Sequence, residues 1–184
     1  MNSMYSLTIF LIFLSSLAFG NEHKCQNSSR ESFIRQYEVP KKILVTSSCC
    51  KLTLFNSVFD KKKNKLKYGN DRAACTIFKI NDKKYSGSDG SLPAAQIDFI
   101  HLKIRNKDFK FPEEMHRTLF NFHNKSLKMV ENKGSLEISG KGGDGAGSYD
   151  VKWLIDIQKS KIEMLLYEFP NKEKPKRTSG KLSI

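Results

Sequence analysis

The last third of the chain alternates apolar and polar residues with a period of two, which is typical of strands with one buried face. In the stretch SYDVKWLIDI the apolar positions lie on one side, and they are Tyr149, Val151, Trp153, Ile155 and Ile157. The stretches GSLEISG before it and KIEMLLYEF after it repeat the alternation. The pattern therefore predicts a three-stranded antiparallel meander.

Three earlier segments are rich in β-branched and apolar residues, which favour strands. They are KILVTSSCCKLTLFNSVF from Lys42, AACTIFKI, and AAQIDFIHLKI. In the third, the alternation places on one side Ile97, Phe99, His101 and Lys103. Both sides of this strand are largely apolar at the centre, so it is expected to be covered on both faces. The predicted fold is mostly β, with α+β as the variant, built as an antiparallel β-sandwich or a partly open barrel.

One short helix is predicted near residues 112–122. Pro112 suits a first turn, Glu113 and Glu114 suit the positive end of a helix dipole, and an apolar stripe follows. The stripe consists of Met115, Leu119 and Phe122. Residues 171–184 are basic and poor in apolar side chains, so a disordered tail is predicted there.

The first twenty residues contain no charged side chain and carry an apolar run too short to cross a bilayer. Ala18 and Gly20 stand where a signal peptidase site needs small residues. We therefore predict a signal peptide at 1–20, a single disulfide-stapled β-rich domain at 21–170, and export to the periplasm or the extracellular space.

An even number of cysteines in an exported chain predicts two disulfides. The cysteines are Cys25, Cys49, Cys50 and Cys75. Adjacent Cα atoms lie about 3.8 Å apart, which is closer than ordinary disulfide geometry prefers. The neighbours Cys49 and Cys50 are therefore expected to bond to Cys25 and Cys75 rather than to each other. The paired spacing of a structural zinc site is absent, and no metal or cofactor is predicted.

The chain carries 32 Lys and Arg against 19 Asp and Glu, a formal net charge of +13. Such an excess predicts attraction to an anionic polymer or a membrane surface. No motif for specific nucleic-acid recognition is present, and the protein partner is left open. The lysines are spread over many segments, which is also typical of a solubilising surface.

The stretch KGGDGAGSYDV concentrates glycines before a predicted strand. It lacks the lysine and the helix of a phosphate-binding P-loop and the helix of a dinucleotide fold. The favoured interpretation is a long hairpin turn, and a nest of backbone amides for an anion is the functional alternative. The candidate anion-binding residues are Lys141, Gly142, Gly143, Gly145 and Gly147.

No catalytic residue is predicted, because no nucleophile, base and acid occur in a recognised arrangement. The leading hypothesis is a non-enzymatic, exported, basic β-rich protein that binds or lies beside an anionic partner: envelope polysaccharide, lipid or nucleic acid. The first alternative is a small secreted hydrolase whose site, with His101, an acid and a hydroxyl, assembles only in the fold. The second is an inhibitor or effector acting on another protein through an exposed apolar hairpin tip.

Overall fold

A computed structural model describes residues 39, 41–69 and 76–184. Within these residues the chain forms eleven strands. They are β1 Lys41–Thr46, β2 Cys50–Val58, β3 Leu66–Tyr68, β4 Ile77–Ile80, β5 Ala95–Ile104, β6 Lys107–Lys110, β7 Lys128–Asn132, β8 Ser135–Gly142, β9 Tyr149–Asp156, β10 Lys161–Glu168 and β11 Lys176–Lys181. Every helical segment in the described residues is a three-residue 3-10 turn: Lys61–Lys63, Glu113–Met115, Asn124–Ser126 and Gly145–Gly147.

The strands form three antiparallel sheets, none of which closes into a barrel. One has four strands in the order β1-β2-β5-β6, one has five in the order β11-β10-β9-β8-β7, and β3 pairs with β4. The mostly β fold is therefore confirmed. The predicted meander is also present as β8-β9-β10, and β7 and β11 extend it on either side.

The two larger sheets share one hydrophobic core, as in a sandwich. Alternate residues of each strand point inward, and the four-stranded sheet contributes Leu52, Leu54, Ile100 and Leu102. From the other sheet, Trp153 is fully buried, and its Nε1 donates a hydrogen bond to the carbonyl oxygen of Met115 at 2.9 Å. A buried indole needs such a partner, so this bond fixes the segment after β6 against the core.

The predicted helix at 112–122 is wrong. Glu113–Met115 forms a single 3-10 turn, and the amides of Arg117 and Leu119 add only isolated turn bonds to the carbonyls of Glu113 and His116. From Phe120 the backbone bonds to other segments. The amide of Phe120 donates to Ser86, its carbonyl accepts from the hydroxyl of Tyr149, and Asn121 adopts a positive φ of 52°. Apolar residues therefore recur in this segment because it is buried from several sides. Their spacing in the sequence resembles the apolar stripe of a helix.

The expected disordered tail at 171–184 is also wrong. Lys176–Lys181 forms β11, which pairs antiparallel with β10, and Leu182 is buried after it. The amide of Lys110 donates to the carbonyl of Ser183 at 2.9 Å, which ties the end of the chain to β6. An edge strand satisfies its backbone through one neighbour and needs few apolar side chains, so composition alone did not reveal it.

The expected cysteine pairing is corrected for two of the four residues. Cys49 and Cys50 are joined to each other by a disulfide at the start of β2, and no described cysteine is free. Both side chains belong to the same turn between β1 and β2, so each sulfur is the nearest described partner of the other. The predicted signal peptide, Cys25 and Cys75 lie outside the described residues.

Candidate functional site

The glycine-rich stretch forms the hairpin predicted from the sequence. β8 ends at Gly142 and β9 begins at Tyr149, and these two residues are register partners. Between them, Gly145–Gly147 forms a 3-10 turn. The hairpin thus connects β8 to β9, the central strand of the five-stranded sheet.

Most of the groups proposed for anion binding have partners within the protein. The amide of Gly143 donates to the carbonyl of Asn121 at 2.9 Å, and that of Gly147 donates to the carbonyl of Asp144 at 2.9 Å. The amide of Lys141 donates to Ser126 Oγ at 2.8 Å, while its Nζ lies 3.8 Å from Asp150. Gly142 lies in the strand ladder, and Gly145 borders open space at a φ of +46°. The structure does not turn these amides toward a common anion, so this site stays a prediction from sequence.

The glycines have a packing role that the sequence did not indicate. The loop at 86–91 lies directly against the hairpin, and the amide of Gly87 donates to the carbonyl of Gly147 at 2.9 Å. A side chain at Gly143 would come within 2.7 Å of the Cα of Gly87, and one at Gly147 within 2.7 Å of the amide nitrogen of Ser88. Glycine is required here because two backbones meet without room for a Cβ.

Asn121 holds this loop cluster together. Its side-chain oxygen accepts from the amides of Ala94 and Ala95 at 2.9 and 3.0 Å, and its Nδ2 donates to the carbonyl of Gly87 at 2.7 Å. The side chain is buried, with every polar atom used. The role of Asn121 was not predicted, because the residue lies within the segment whose sequence pattern favours a helix.

A cleft of about 350 Å³ opens beside the glycine loops. Its rim includes two exposed rings, Phe78 and Phe169, and its floor includes Tyr85, whose pKa is raised to about 12 mainly by burial. Glu168 lies in the cleft and contacts both the Ser86 hydroxyl and the Lys176 ammonium. The charged and hydroxyl groups here are thus largely engaged with one another.

The outer face of the four-stranded sheet is a different surface. On β2 and β5 the side chains that alternate with the buried core residues point outward. The strand register brings together four lysines and three rings, which we call the lysine face: Lys42, Lys51, Lys103, Lys110, Phe55, Phe99 and His101. A bulge next to Phe55 reverses the side of Ile97, which is buried, contrary to its predicted place beside Phe99.

The three rings form a continuous row at the centre of the lysine face. Phe55 and Phe99 are cross-strand partners with nearly parallel rings, 5.5 Å between centroids and 10° between planes. The ring of His101 follows, 4.7 Å from that of Phe99 at an angle of 38°. All three are half-buried. The strand β5 was expected to be covered on both faces, but no described element packs over its outward face.

The lysines lie on the flanks of the aromatic row. In the strand register Lys42 is opposite Phe55, and Lys110 is opposite His101. Lys51 and Lys103 are directly opposite each other, and the one ion pair that these lysines make with a described residue joins Lys103 to the exposed Asp108 at 3.8 Å. Opposed like charges disfavour strand pairing, so this arrangement lacks a stabilising role in the described fold.

The two other described histidines are His116 and His123, of which the first is buried and the second half-buried. His116 is buried, and its Nδ1 lies 3.3 Å from the carbonyl oxygen of Ile97. Burial lowers the pKa of His116 and also that of His123, which favours the neutral imidazole. Across residues 39, 41–69 and 76–184, no three His, Cys, Asp or Glu side chains are grouped to hold a metal ion.

The chain matches no known protein family model, and neither curated protein sequences nor solved structures provide a significant match. In the part of the chain that the structure describes, no helix is long and apolar enough to cross a membrane. Functional inference therefore depends on the geometry of the surfaces described above.

Proposed function

We propose that this protein is a non-enzymatic binding protein for an anionic partner, and that the lysine face is its contact surface. The observation that carries the proposal is the register that gathers Lys42, Lys51, Lys103 and Lys110 around a half-buried aromatic row. Cations on a partly apolar sheet face attract a polyanion by charge and hold it by contact.

The opposed pair Lys51 and Lys103 supports this interpretation. Facing lysines repel each other, whereas a phosphate, sulfate or carboxylate between them would be attracted to both. Their positions on neighbouring strands of a packed sheet hold the backbone of the two lysines close together before a ligand arrives. Binding therefore requires little reorganisation of the backbone.

The hydrolase alternative has less support from the geometry. His101 has Thr53 and Lys110 as its register neighbours, and it stacks on Phe99. Among the described residues no carboxylate is hydrogen-bonded to it. A general base with an orienting acid is thus not assembled around this residue.

The test measures binding to heparin, a sulfated polymer, over a range of salt from about 50 to about 200 mM. The variant Lys51→Gln/Lys103→Gln removes one cross-strand lysine pair from the lysine face. Lys161→Gln/Lys181→Gln is its matched control, because these residues are also cross-strand partners and the charge change is the same. We expect the first variant to bind more weakly and with a shallower dependence of log K on log salt.

Equal weakening by the two variants would show that net charge alone drives the attraction, and it would contradict the lysine face as the site. Absence of binding by the wild-type protein at the lowest salt would contradict the proposal as a whole.

Export is a separate proposal, based on the uncharged apolar segment at residues 1–20. Expression of the whole chain in a secreting host, followed by mass measurement of the product, tests it. Cleavage before Asn21 supports export, and an intact cytoplasmic chain contradicts it.

A further inference from the structure

The aromatic row stands at positions where a solvent-facing strand normally carries polar side chains. Phe55 and Phe99 are adjacent outward positions on the two central strands of the sheet. Together with His101 they expose parts of three neighbouring rings to solvent. Solvent-exposed apolar surface of this kind is stabilised when a partner covers it.

The number of polar side chains beside the aromatic row bears on which class of anionic partner fits it. Apart from His101, the outward neighbours of Phe55 on β2 are Thr53 and Ser57, each with a single hydroxyl. On β5 the carboxylate of Asp98, beside Phe99, already accepts a hydrogen bond from the side chain of Gln96. A sugar polymer presents many hydroxyl groups, each of which loses a hydrogen bond to water unless the protein replaces it. The face of a nucleobase has no such groups and stacks on an aromatic side chain without hydrogen bonds.

Each end of the row has a cation close enough to reach the backbone of a stacked nucleotide. Lys42 is one strand away from Phe55, and Lys110 is one strand away from His101, so each separation is about 5 Å between strands. Lys51 and Lys103 continue the positive surface along the sheet. A chain of planar bases joined by phosphates matches both the rings and this charge.

We infer that the lysine face binds single-stranded nucleic acid, stacking bases on the row of Phe55, Phe99 and His101 without sequence preference while the lysines contact phosphates. This inference rests on the proposed function and specifies the partner. Duplex nucleic acid is excluded from the stacking contact, because its base faces are already covered by neighbouring base pairs.

The experiment measures the fluorescence anisotropy of a labelled oligothymidylate of about 12 nucleotides. Competitors are a DNA duplex of the same length, a heparin fragment and vesicles containing phosphatidylglycerol. We expect the unlabelled single strand to compete at least about tenfold better than the duplex at equal charge, because the ring contacts require unpaired bases.

The variant Phe55→Leu/Phe99→Leu removes the rings while keeping apolar side chains. We expect it to lose at least about tenfold in affinity for the oligothymidylate and to keep its affinity for heparin. Phe78→Leu is the control, because this exposed ring lies on β4 outside the lysine face. Phe99→Tyr keeps the ring and should keep the affinity.

A measurement on the wild-type protein covers the case in which the double variant does not fold. Stacking on the rings should shift the thymine ring protons upfield in NMR spectra of the complex. Unchanged thymine shifts, or equal competition by single strand, duplex and heparin, would overturn the inference while leaving polyanion binding intact. Stronger competition by the vesicles than by the oligonucleotide would replace nucleic acid with a lipid surface.

Discussion

The outer faces of the two larger sheets carry basic side chains in opposite settings. On the five-stranded sheet the cations lie beside carboxylates, as in the pair of Lys152 and Glu137 at 3.0 Å and the pair of Arg177 and Glu163 at 2.9 Å. On the four-stranded sheet Lys51 faces Lys103 across the strands. The five-stranded face therefore pairs several of its cations with carboxylates, although Lys161 and Lys181 also face each other there. The four-stranded face instead places its lysines around aromatic rings.

The difference shows that a net charge of +13 does not indicate where an anion would bind. Strand pairing decides which charges become neighbours, and it gathers four cations around the aromatic row, of which Lys103 alone has a carboxylate partner among the described residues. The faces differ in apolar content as well. Phe55 and Phe99 form a stacked pair on the outer face of the four-stranded sheet, and the described strands of the five-stranded sheet have no such pair. Comparison of matched changes on the two faces tests this account.

The largest expected effect comes from removing all four cations of the lysine face. In the variant Lys42→Gln/Lys51→Gln/Lys103→Gln/Lys110→Gln, affinity for the oligothymidylate at low salt should fall on the order of a hundredfold, since each lost phosphate contact reduces counterion release. Fluorescence anisotropy measures the change.

The matched variant on the other face is Lys141→Gln/Lys152→Gln/Arg177→Gln/Lys181→Gln, with the same loss of charge. Its affinity should change by less than about threefold, because its cations are largely balanced by carboxylates. A similar loss in both variants would remove the distinction between the faces.

A substitution in the core between the two sheets should change stability rather than affinity for the oligothymidylate. Trp153→Phe removes buried volume and the hydrogen bond to the carbonyl of Met115, so the free energy of unfolding should fall by about 2 kcal/mol. Denaturant titration measures this loss. Affinity of the folded variant for the oligothymidylate should stay within about twofold of wild type, because the indole is fully buried; a large loss of affinity would place the binding site elsewhere.

Reversing one charge on each face should change stability in opposite directions. Lys51→Glu replaces a repulsive contact with Lys103 by an attractive one, and stability should rise by a few tenths of a kcal/mol. Lys152→Glu removes the pair with Glu137, the contact that raises the pKa of Lys152, and stability should fall by a similar amount. Denaturant titration at low salt compares them, and shifts of the same sign would contradict the assignment of charge environments.

The two sheets also differ, to a smaller extent, in how their surroundings make stability depend on pH. No histidine lies in β7–β11, whereas His116 packs against the carbonyl of Ile97 in β5. Its pKa is lowered by burial, so below the ordinary value of 6.5 the unfolded state binds more protons and stability falls as the pH falls. Above 6.5 the contribution is constant.

His116→Gln should reduce this loss of stability on acidification, measured by denaturant titration at neutral and mildly acidic pH. His123 has a pKa lowered in the same direction, so part of the loss should persist in the variant. An unchanged pH dependence would show that His116 takes no part in it.

The pairing of β8, β9 and β10 could be predicted because these strands alternate between a buried and a solvated face, as around Trp153. The segment at 112–122 could not, since Phe120 packs in a different apolar cluster from Met115 and Phe122, and the carbonyls of the segment accept hydrogen bonds from side chains of β9. β11 was missed because an edge strand such as Lys176–Lys181 folds through backbone pairing. The local sequence pattern indicates the periodicity of a segment, but it does not indicate which distant segments will pair with it.

The candidate site was harder to predict than the fold. Phe99, His101 and Lys103 were correctly placed on one side of a strand, but Phe55 becomes their neighbour only through the register of β2 with β5. The glycine hairpin was a candidate anion-binding site because its residues are adjacent in the sequence. Its glycines permit the close approach of the loop at 86–91, which no local pattern reveals.

Mapping of the bound surface tests the central claim most directly. Backbone amide shifts of the wild-type protein are followed by NMR during titration with oligothymidylate at low salt. The account predicts that the largest changes occur in β1, β2, β5 and β6, at and beside Phe55, Phe99 and His101. Largest changes in β8–β11, or shifts of equal size on both sheets, would contradict it.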